Sequence, residues 1–253
     1  LVTRSFPMIP DVPGETRDHP HHRSIWTAHG NVNGVDDWSE ADNCGRILHR
    51  SFKTLRSGLV YGEIASINDW VSHEGEKVLE EERRIIVYNA PEGLRIMDLD
   101  VNFEATKGDV TFGDTKEGGI ISIRVASSID VVNGGRIENA YGGIDEDETW
   151  GRRTHWCDYS GPVGGSWIGI AIFDDPGNFR HPTYWHVRDY GLMTANPFGV
   201  SHFTGDPKKD GSFTLKKRES LRFLYRVFIH EGDAKGGGVT ERYHDFTNPP
   251  KVV

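Results

Sequence analysis

Three short segments concentrate side chains able to hold a metal, move a proton or grip a polar ligand. The first, Asp18-His19-Pro20-His21-His22-Arg23-Ser24-Ile25-Trp26-Thr27-Ala28-His29-Gly30, carries four of the chain's twelve histidines within eleven residues. Neutral imidazole binds divalent metals and titrates near pH 7, so His19, His21, His22 and His29 are candidate metal ligands or acid–base groups, with Trp26 as a stacking surface. Pro20 steers His19 towards extended geometry. An extended chain puts His19 and His21 on one face and His22 on the other. The bland alternative is a loop whose imidazoles bond backbone and cap a sheet.

The second segment is Trp150-Gly151-Arg152-Arg153-Thr154-His155-Trp156-Cys157-Asp158-Tyr159. In an extended chain His155, Cys157 and Tyr159 oppose Trp156 and Asp158. An aromatic plane beside a carboxylate and a cation suits a sugar, with Arg152 and Trp156 binding and His155 and Asp158 exchanging protons. A Trp-rich core with stacked arginine is the competing description. The third runs His181-Pro182-Thr183-Tyr184-Trp185-His186-Val187-Arg188-Asp189-Tyr190. Alternation places Tyr184, His186, Arg188 and Tyr190 on one face, a row ill suited to a core and well suited to an anionic or polyhydroxylated ligand anchored by Arg188. Ahead of these lies Phe112-Gly113-Asp114-Thr115-Lys116-Glu117-Gly118-Gly119. No helix pattern follows it, so it is not a phosphate loop. Glu117 is then either a carboxylate base or a solvated turn residue. Nucleophile-elbow, dinucleotide and H-E-x-x-H patterns are absent from the sequence.

The elements that must position these residues read as strands. Arg46–Leu55, Leu59–Trp70, Val78–Asn89 and Leu94–Ala105 are separated by short Gly/Pro turns, the pattern of a hairpin meander. Ile120–Val132, Trp167–Phe173 and Arg222–His230 continue it. One modest helix is expected at Val239–Phe246, after three glycines. The whole chain, residues 1–253, reads as one all-β domain, a large antiparallel β-sandwich or supersandwich.

A formal charge of −9 with scattered Lys and Arg gives no basic footprint, which argues against nucleic acid and for a small-molecule or oligosaccharide ligand. No apolar run approaches the roughly 20 residues of a membrane helix. Cys44 and Cys157 are too few for a disulfide framework, and two buried free thiols are expected. The start at Leu1, without Met, suggests processing or truncation, with a periplasmic or secreted location if a signal peptide was removed.

Several long stretches carry a family resemblance. Thr3-Arg4-Ser5-Phe6-Pro7-Met8, the Asp18–Arg23 run with Trp26–Asp36, the Trp150–Tyr159 segment, Phe173–Asn178, the Tyr184–Leu192 strand and Ala195-Asn196-Pro197-Phe198-Gly199 all take part. Together they resemble the bacterial PmoA-like family, a domain of unknown function whose members are often labelled methane oxygenase. The resemblance spans nearly the whole chain and implies residues missing before Thr3. The methane chemistry does not transfer, because the membrane enzyme subunit of that name spans the bilayer and this chain shows no spanning segment. The resemblance instead implies a setting of polysaccharide breakdown, and the β pattern is similar to galactose-mutarotase-like supersandwiches.

The expected function is therefore carbohydrate-active. An epimerase would use His186 or His155 as acid and Glu117 or Asp158 as base. A lyase would use His186 beside Arg188. A metal-assisted enzyme would hold a divalent ion on His19, His21, His22 and His29. Alternatives are a non-catalytic carbohydrate-binding module and an assembly domain whose His-rich face is buried on a partner.

Overall fold

Alternating side chains and short turns between residues 45 and 105 fold as that pattern predicts. In the computed structural model, which describes residues 2–249, β2 (Arg46–Arg56), β3 (Tyr61–Val71), β4 (Lys77–Tyr88) and β5 (Arg95–Glu104) form an antiparallel meander. Beyond β5 the sheet continues through β14 (Ser220–Glu231), β10 (Ser166–Asp174), β9 (Trp156–Val163) and β8 (Arg136–Asn139), giving the order β2-β3-β4-β5-β14-β10-β9-β8. A second sheet runs β1 (Ile25–His29), β7 (Gly118–Arg124), β12 (Leu192–Asn196) and β11 (Tyr184–Arg188). A two-stranded ribbon pairs β6 (Val110–Phe112) with β13 (Phe213–Leu215). The protein is thus an antiparallel β-sandwich, as its alternation predicts.

Period-two burial explains the packing. Val101, Phe103, Ile170, Ile172, Phe223 and Tyr225 face inward from the large sheet onto Ile121, Ile123, Trp185, Val187, Met193 and Ala195 of the small one. Each such side chain stabilises the fold by about 1.5–3 kcal/mol relative to exposure. The outer face of β9, β10 and β14 is apolar too, because Trp156, Phe173 and Phe228 pack on Val239 and Phe246. Those last two belong to α3 (Val239–Thr247), the expected helix, which starts after Gly238 at φ +65°. Two further helices, α1 (Asp145–Thr149) and α2 (Val200–Thr204), are single short turns with no sequence periodicity to betray them.

The strand expected over Ile120–Val132 ends earlier. Strand β7 stops at Arg124, Val125 makes one isolated bridge to Thr3, and Ser127–Ile129 and Val131–Asn133 are one-turn 3-10 helices. Local polar bonds explain the break: the Asn133 side chain donates to Ser127 O, and Tyr159 Oη accepts from Val131 N–H. Cys44 and Cys157 are both buried and unbridged, as expected. No helix among the described residues is long and apolar enough to cross a membrane.

The two sheets differ in width, eight strands against four. Where β2–β4 run past β1, the inner face of the large sheet lies open, and Phe52 and Ile64 are exposed there.

Candidate functional site

The outer face of the small sheet gathers most of the first and third segments. Register sets Trp26 opposite Ser122, Ser122 opposite Thr194, and Thr194 opposite His186. With neighbouring strands about 4.8 Å apart, this row crosses roughly 14 Å. It points away from the core because Ile123, Met193, Trp185 and Val187 fill the other face. Beside it lies a second row, Arg124, Leu192 and Arg188. The expected alternation along β11 therefore holds.

Five polar atoms on this face are buried with no partner: Trp26 Nε1, Ser122 Oγ, Arg124 Nε, Thr194 Oγ1 and Arg188 Nε. An unmet buried donor or acceptor costs about 1–3 kcal/mol, so five in one patch mark a surface shaped for a hydrogen-bonding occupant. Gly119 makes room for them. A Cβ there would run into Thr194 Cγ2 and sit 3.0 Å from Ser122 Oγ.

His186 and the loop before β7 build one wall. His186 Nδ1 lies 2.9 Å from Lys116 O, and Asn196 Nδ2 donates to Thr115 O at 2.9 Å. These bonds hold Lys116 and Glu117, paired with each other, at the partly exposed mouth. A carbonyl only accepts, so His186 Nδ1 carries the hydrogen and Nε2 presents a lone pair. Burial pushes the His186 pKa down to about 4, against the opposing pull of Glu117. Near neutrality His186 is thus an uncharged base. Phe203 of α2 stacks on Tyr184 at 5.4 Å and closes that end.

The His-rich run builds the opposite wall, by a turn rather than an extended strand. His22 N–H donates to His19 O at 2.9 Å and His19 has φ +45°. Pro20 sits second in the turn, where its fixed φ fits. Because the chain turns, all three imidazoles gather on one side, with ring centroids 4.4–5.8 Å apart. His19 stacks on Tyr190 at 5.2 Å and His22 on Trp26 at 5.1 Å.

Arg124 pins this turn. Its Nη2 donates to both Asp18 oxygens at 2.8 Å, and its Nη1 to His22 Nδ1 at 2.7 Å. Its guanidinium also lies 4.8 Å from the Tyr190 ring centroid. Arg4 adds a bond to Asp18 at 2.7 Å and one to Asp130 at 2.8 Å. Burial works to raise the Asp18 pKa, but the Arg124 bond and charge outweigh it and hold the carboxyl at about 2. His22 is driven down to about 2 by burial, then by His21 and Arg124.

This arrangement corrects the proposed metal set. His22 Nδ1 is committed to Arg124, and His19 is paired with Asp18 at 2.9 Å. His29 lies apart, its Nε2 2.9 Å from Gly113 O and its ring between Phe112 and Phe198. Among the described residues no three His, Cys, Asp or Glu side chains converge to hold a metal ion. His29 is structural, and burial lowers its pKa to about 4. The unfolded chain therefore binds a proton at about pH 6.5 that the folded one refuses, and stability falls as pH drops from 6.5 towards 4. His29→Gln keeps the bond to Gly113 and cannot titrate. Its stability measured against urea is expected to lack an acid-side slope of about 1.4 kcal/mol per pH unit that the wild type shows over that window.

The second segment divides: residues 150–153 run along β11, with Arg153 over the Tyr184 ring at 5.4 Å, while residues 156–159 lie in β9 of the large sheet, away from the site. Asp158 is fully buried and pairs with His230 at 2.9 Å, and Trp156 packs under α3. Arg152 is exposed on a turn. His155 sits in a separate chain: Tyr141 Oη is 2.9 Å from His155 Nε2, His155 Nδ1 is 3.2 Å from His181 Nε2, and His181 Nδ1 is 2.7 Å from Asp174 Oδ2. His155 and Asp158 are thus removed from the acid–base set around His186, and Trp156 from the binding set, while Arg153 takes the place expected of Arg152 against the Tyr184 face. Sequence reasoning missed Ser122, Thr194, Arg124 and Asn196. The available clue was Ser122 and Arg124 standing as the polar members of an apolar run, Ile120–Val125.

No curated protein matches this chain. A family described as a family of unknown function, DUF6807, matches residues 1–244 and brings no activity with it. With nearly its whole length matched, the chain belongs to the DUF6807 family.

Proposed function

We propose that this protein is a sugar-active enzyme of the elimination type, working on a sugar that bears a carbonyl or carboxyl group. The observation that carries this reading is His186, a neutral imidazole with Nδ1 tied to Lys116 O, on the same strand face as Arg188. A base beside a cation is what removal of a proton next to a carbonyl needs. Mutarotase-style epimerisation instead asks the imidazole to be an acid, and a pKa of about 4 leaves His186 unprotonated near neutrality.

The step runs as follows. His186 Nε2 takes the proton from the carbon beside the carbonyl, and the C–H electron pair becomes the carbon–carbon double bond of an enolate. Its oxyanion faces Arg188, whose Nε is without a partner and whose Nη1 is fixed by Glu146 at 2.8 Å. The enolate then reforms the carbonyl and expels the oxygen substituent on the next carbon with its bonding pair. Tyr190, kept protonated because burial raises its pKa, supplies the proton to that leaving oxygen. The proton on His186 then returns to the Tyr190 phenolate through solvent. The orphaned hydroxyls of Ser122 and Thr194 bond the ring hydroxyls, and Trp26 offers a stacking face. A sandwich with one sheet wider than the other is compatible with a supersandwich of the galactose-mutarotase kind, a fold-level analogy that assigns no chemistry.

The test uses methyl glucuronide and the 2-, 3- and 4-keto methyl glucosides, with methyl glucoside as control. Wild-type protein is expected to give the conjugated unsaturated product, read by ultraviolet absorbance, from at least one oxidised sugar and none from the control. Binding without product would turn the site into a carbohydrate-binding module. Neither binding nor product from any of them would remove the sugar reading.

A further inference from the structure

Where the large sheet overhangs β1, a cleft of about 510 Å³ opens beside the site described above. That volume lies in the roughly 300–1,000 Å³ range of small-molecule sites. Trp26 and His21 line it from the small-sheet side, joined by Asp37 and Trp38, while Asn68 and Arg83 form its floor on the large sheet.

Asp37 is the side chain without a structural explanation. Only 9% of its surface is exposed, yet neither carboxyl oxygen has a partner. Burial, reinforced by Asp36, raises its pKa to about 8, so the neutral acid is the form present near pH 7. The fold makes space for it: a Cβ on Gly45 would collide with Asp37 Oδ1 and Val35, and lie 2.8 Å from Val71 O. An unpaired buried carboxyl costs stability that its own fold does not recover, which points to a partner from outside.

The rest of the wall says what that partner is. Arg83 is matched by Glu81 through two bonds, and Arg23 by Glu40 through two. Trp26 and Trp38 stand 5.5 Å apart at 52°. With two of the cleft's three arginines paired and the third, Arg46, exposed to solvent, an uncharged acid and two indoles suit a neutral, hydroxyl-rich ring better than an ion.

We propose that this cleft is a second sugar subsite, holding the neutral sugar that is glycosidically joined to the oxidised unit on the small-sheet face, with the Asp37 carboxyl bonding its hydroxyls. The proposal rests on the elimination reading above for the first unit. It makes the natural ligand a glycoside of at least two residues, and places the leaving sugar in the cleft.

The test measures binding by calorimetry in a His186→Asn background, where turnover is slowed by about 10²- to 10⁴-fold. The probes are keto-cellobiose and keto-maltose, each oxidised in its non-reducing unit, against the matching keto methyl glucoside. At least one disaccharide is expected to bind about tenfold more tightly than the methyl glycoside. Asp37→Ala should abolish that gain and Asp37→Asn, equally uncharged and of the same shape, should keep it. His49→Trp, which fills the cleft from the exposed strand β2, should also abolish it should Asp37→Ala fail to fold. Equal binding of disaccharide and methyl glycoside would overturn the second subsite and leave the first reading standing. Disaccharide binding that depends on Asp37, with no measurable methyl glycoside binding and no product from wild type, would keep the cleft and overturn the elimination site. No binding of any probe would overturn both.

Discussion

His186→Asn is expected to lower turnover of the oxidised glycoside by about 10²- to 10⁴-fold, the usual contribution of a positioned general base. Asparagine places its amide where Nδ1 stood, so the bond to Lys116 O survives and with it the Lys116–Glu117 loop. What is lost is Nε2, the proton acceptor. KM should change only a few-fold, because Ser122, Thr194 and Arg188 still face the ligand. The wild-type pH profile supplies an independent check. A base acts when unprotonated, and the His186 pKa is about 4, so kcat/KM should hold steady down to about pH 5 and fall below it. An acid limb centred near 6.5 would mean that His186 is not the base. A His186→Asn protein with undiminished turnover would say the same.

Arg124→Met is expected to destabilise the protein by about 2–4 kcal/mol, from the loss of three charge-assisted hydrogen bonds that leaves His22 Nδ1 buried without a partner. Arg124 is fully buried, bonds both Asp18 oxygens and His22, and lies over Tyr190. Methionine fills much of its volume and replaces none of these bonds. At roughly 2–4 °C per kcal/mol for a chain of this size, melting should fall by about 10 °C. The acid side carries the signature of Asp18. Its folded pKa of about 2 lies below the unfolded value near 3.8, so its contribution is present above pH 3.8 and disappears as pH falls towards 2. In Arg124→Met that acid-side loss should shrink, since only Arg4 and His19 remain to hold the carboxylate. Ligand affinity should fall as well, because the His19–His22 turn loses its anchor. A loss below about 1 kcal/mol would show that the network is not what holds this wall.

The meander and the β11 alternation were legible because a period of two, interrupted by Gly and Pro, leaves few other arrangements. The small sheet's contribution was half legible. Tyr184, His186 and Arg188 stood out by type, but Ser122 and Thr194 look ordinary, and only the strand register brings them beside His186. Register is a long-range property, fixed by pairing between residues some 70 positions apart. The same limit misplaced Asp158, whose alternation with Cys157 and Tyr159 was right while its sheet was unknown, and His155, which precedes β9 and stacks on Tyr243 of α3 instead of sharing the core face of Cys157 and Tyr159. His29 misled for a different reason. It closes a His-rich run, but a bulge between Trp26 and Ala28 shifts the pairing of β1 with β7, and the ring ends beside Phe112 and Phe198. Asp37 gave no hint at all, since an acid next to Asp36 and Trp38 reads as a solvated turn until its burial is seen.

The most direct measurement is a crystal structure of His186→Asn with the turned-over keto methyl glucoside bound. The sugar should lie on the outer face of the small sheet, its hydroxyls within about 3.2 Å of Ser122 Oγ and Thr194 Oγ1 and its carbonyl oxygen facing Arg188. A sugar seated instead at His155, His181 and Asp174, or on the far face of the large sheet, would contradict that placement and move the chemistry to the other half of the molecule.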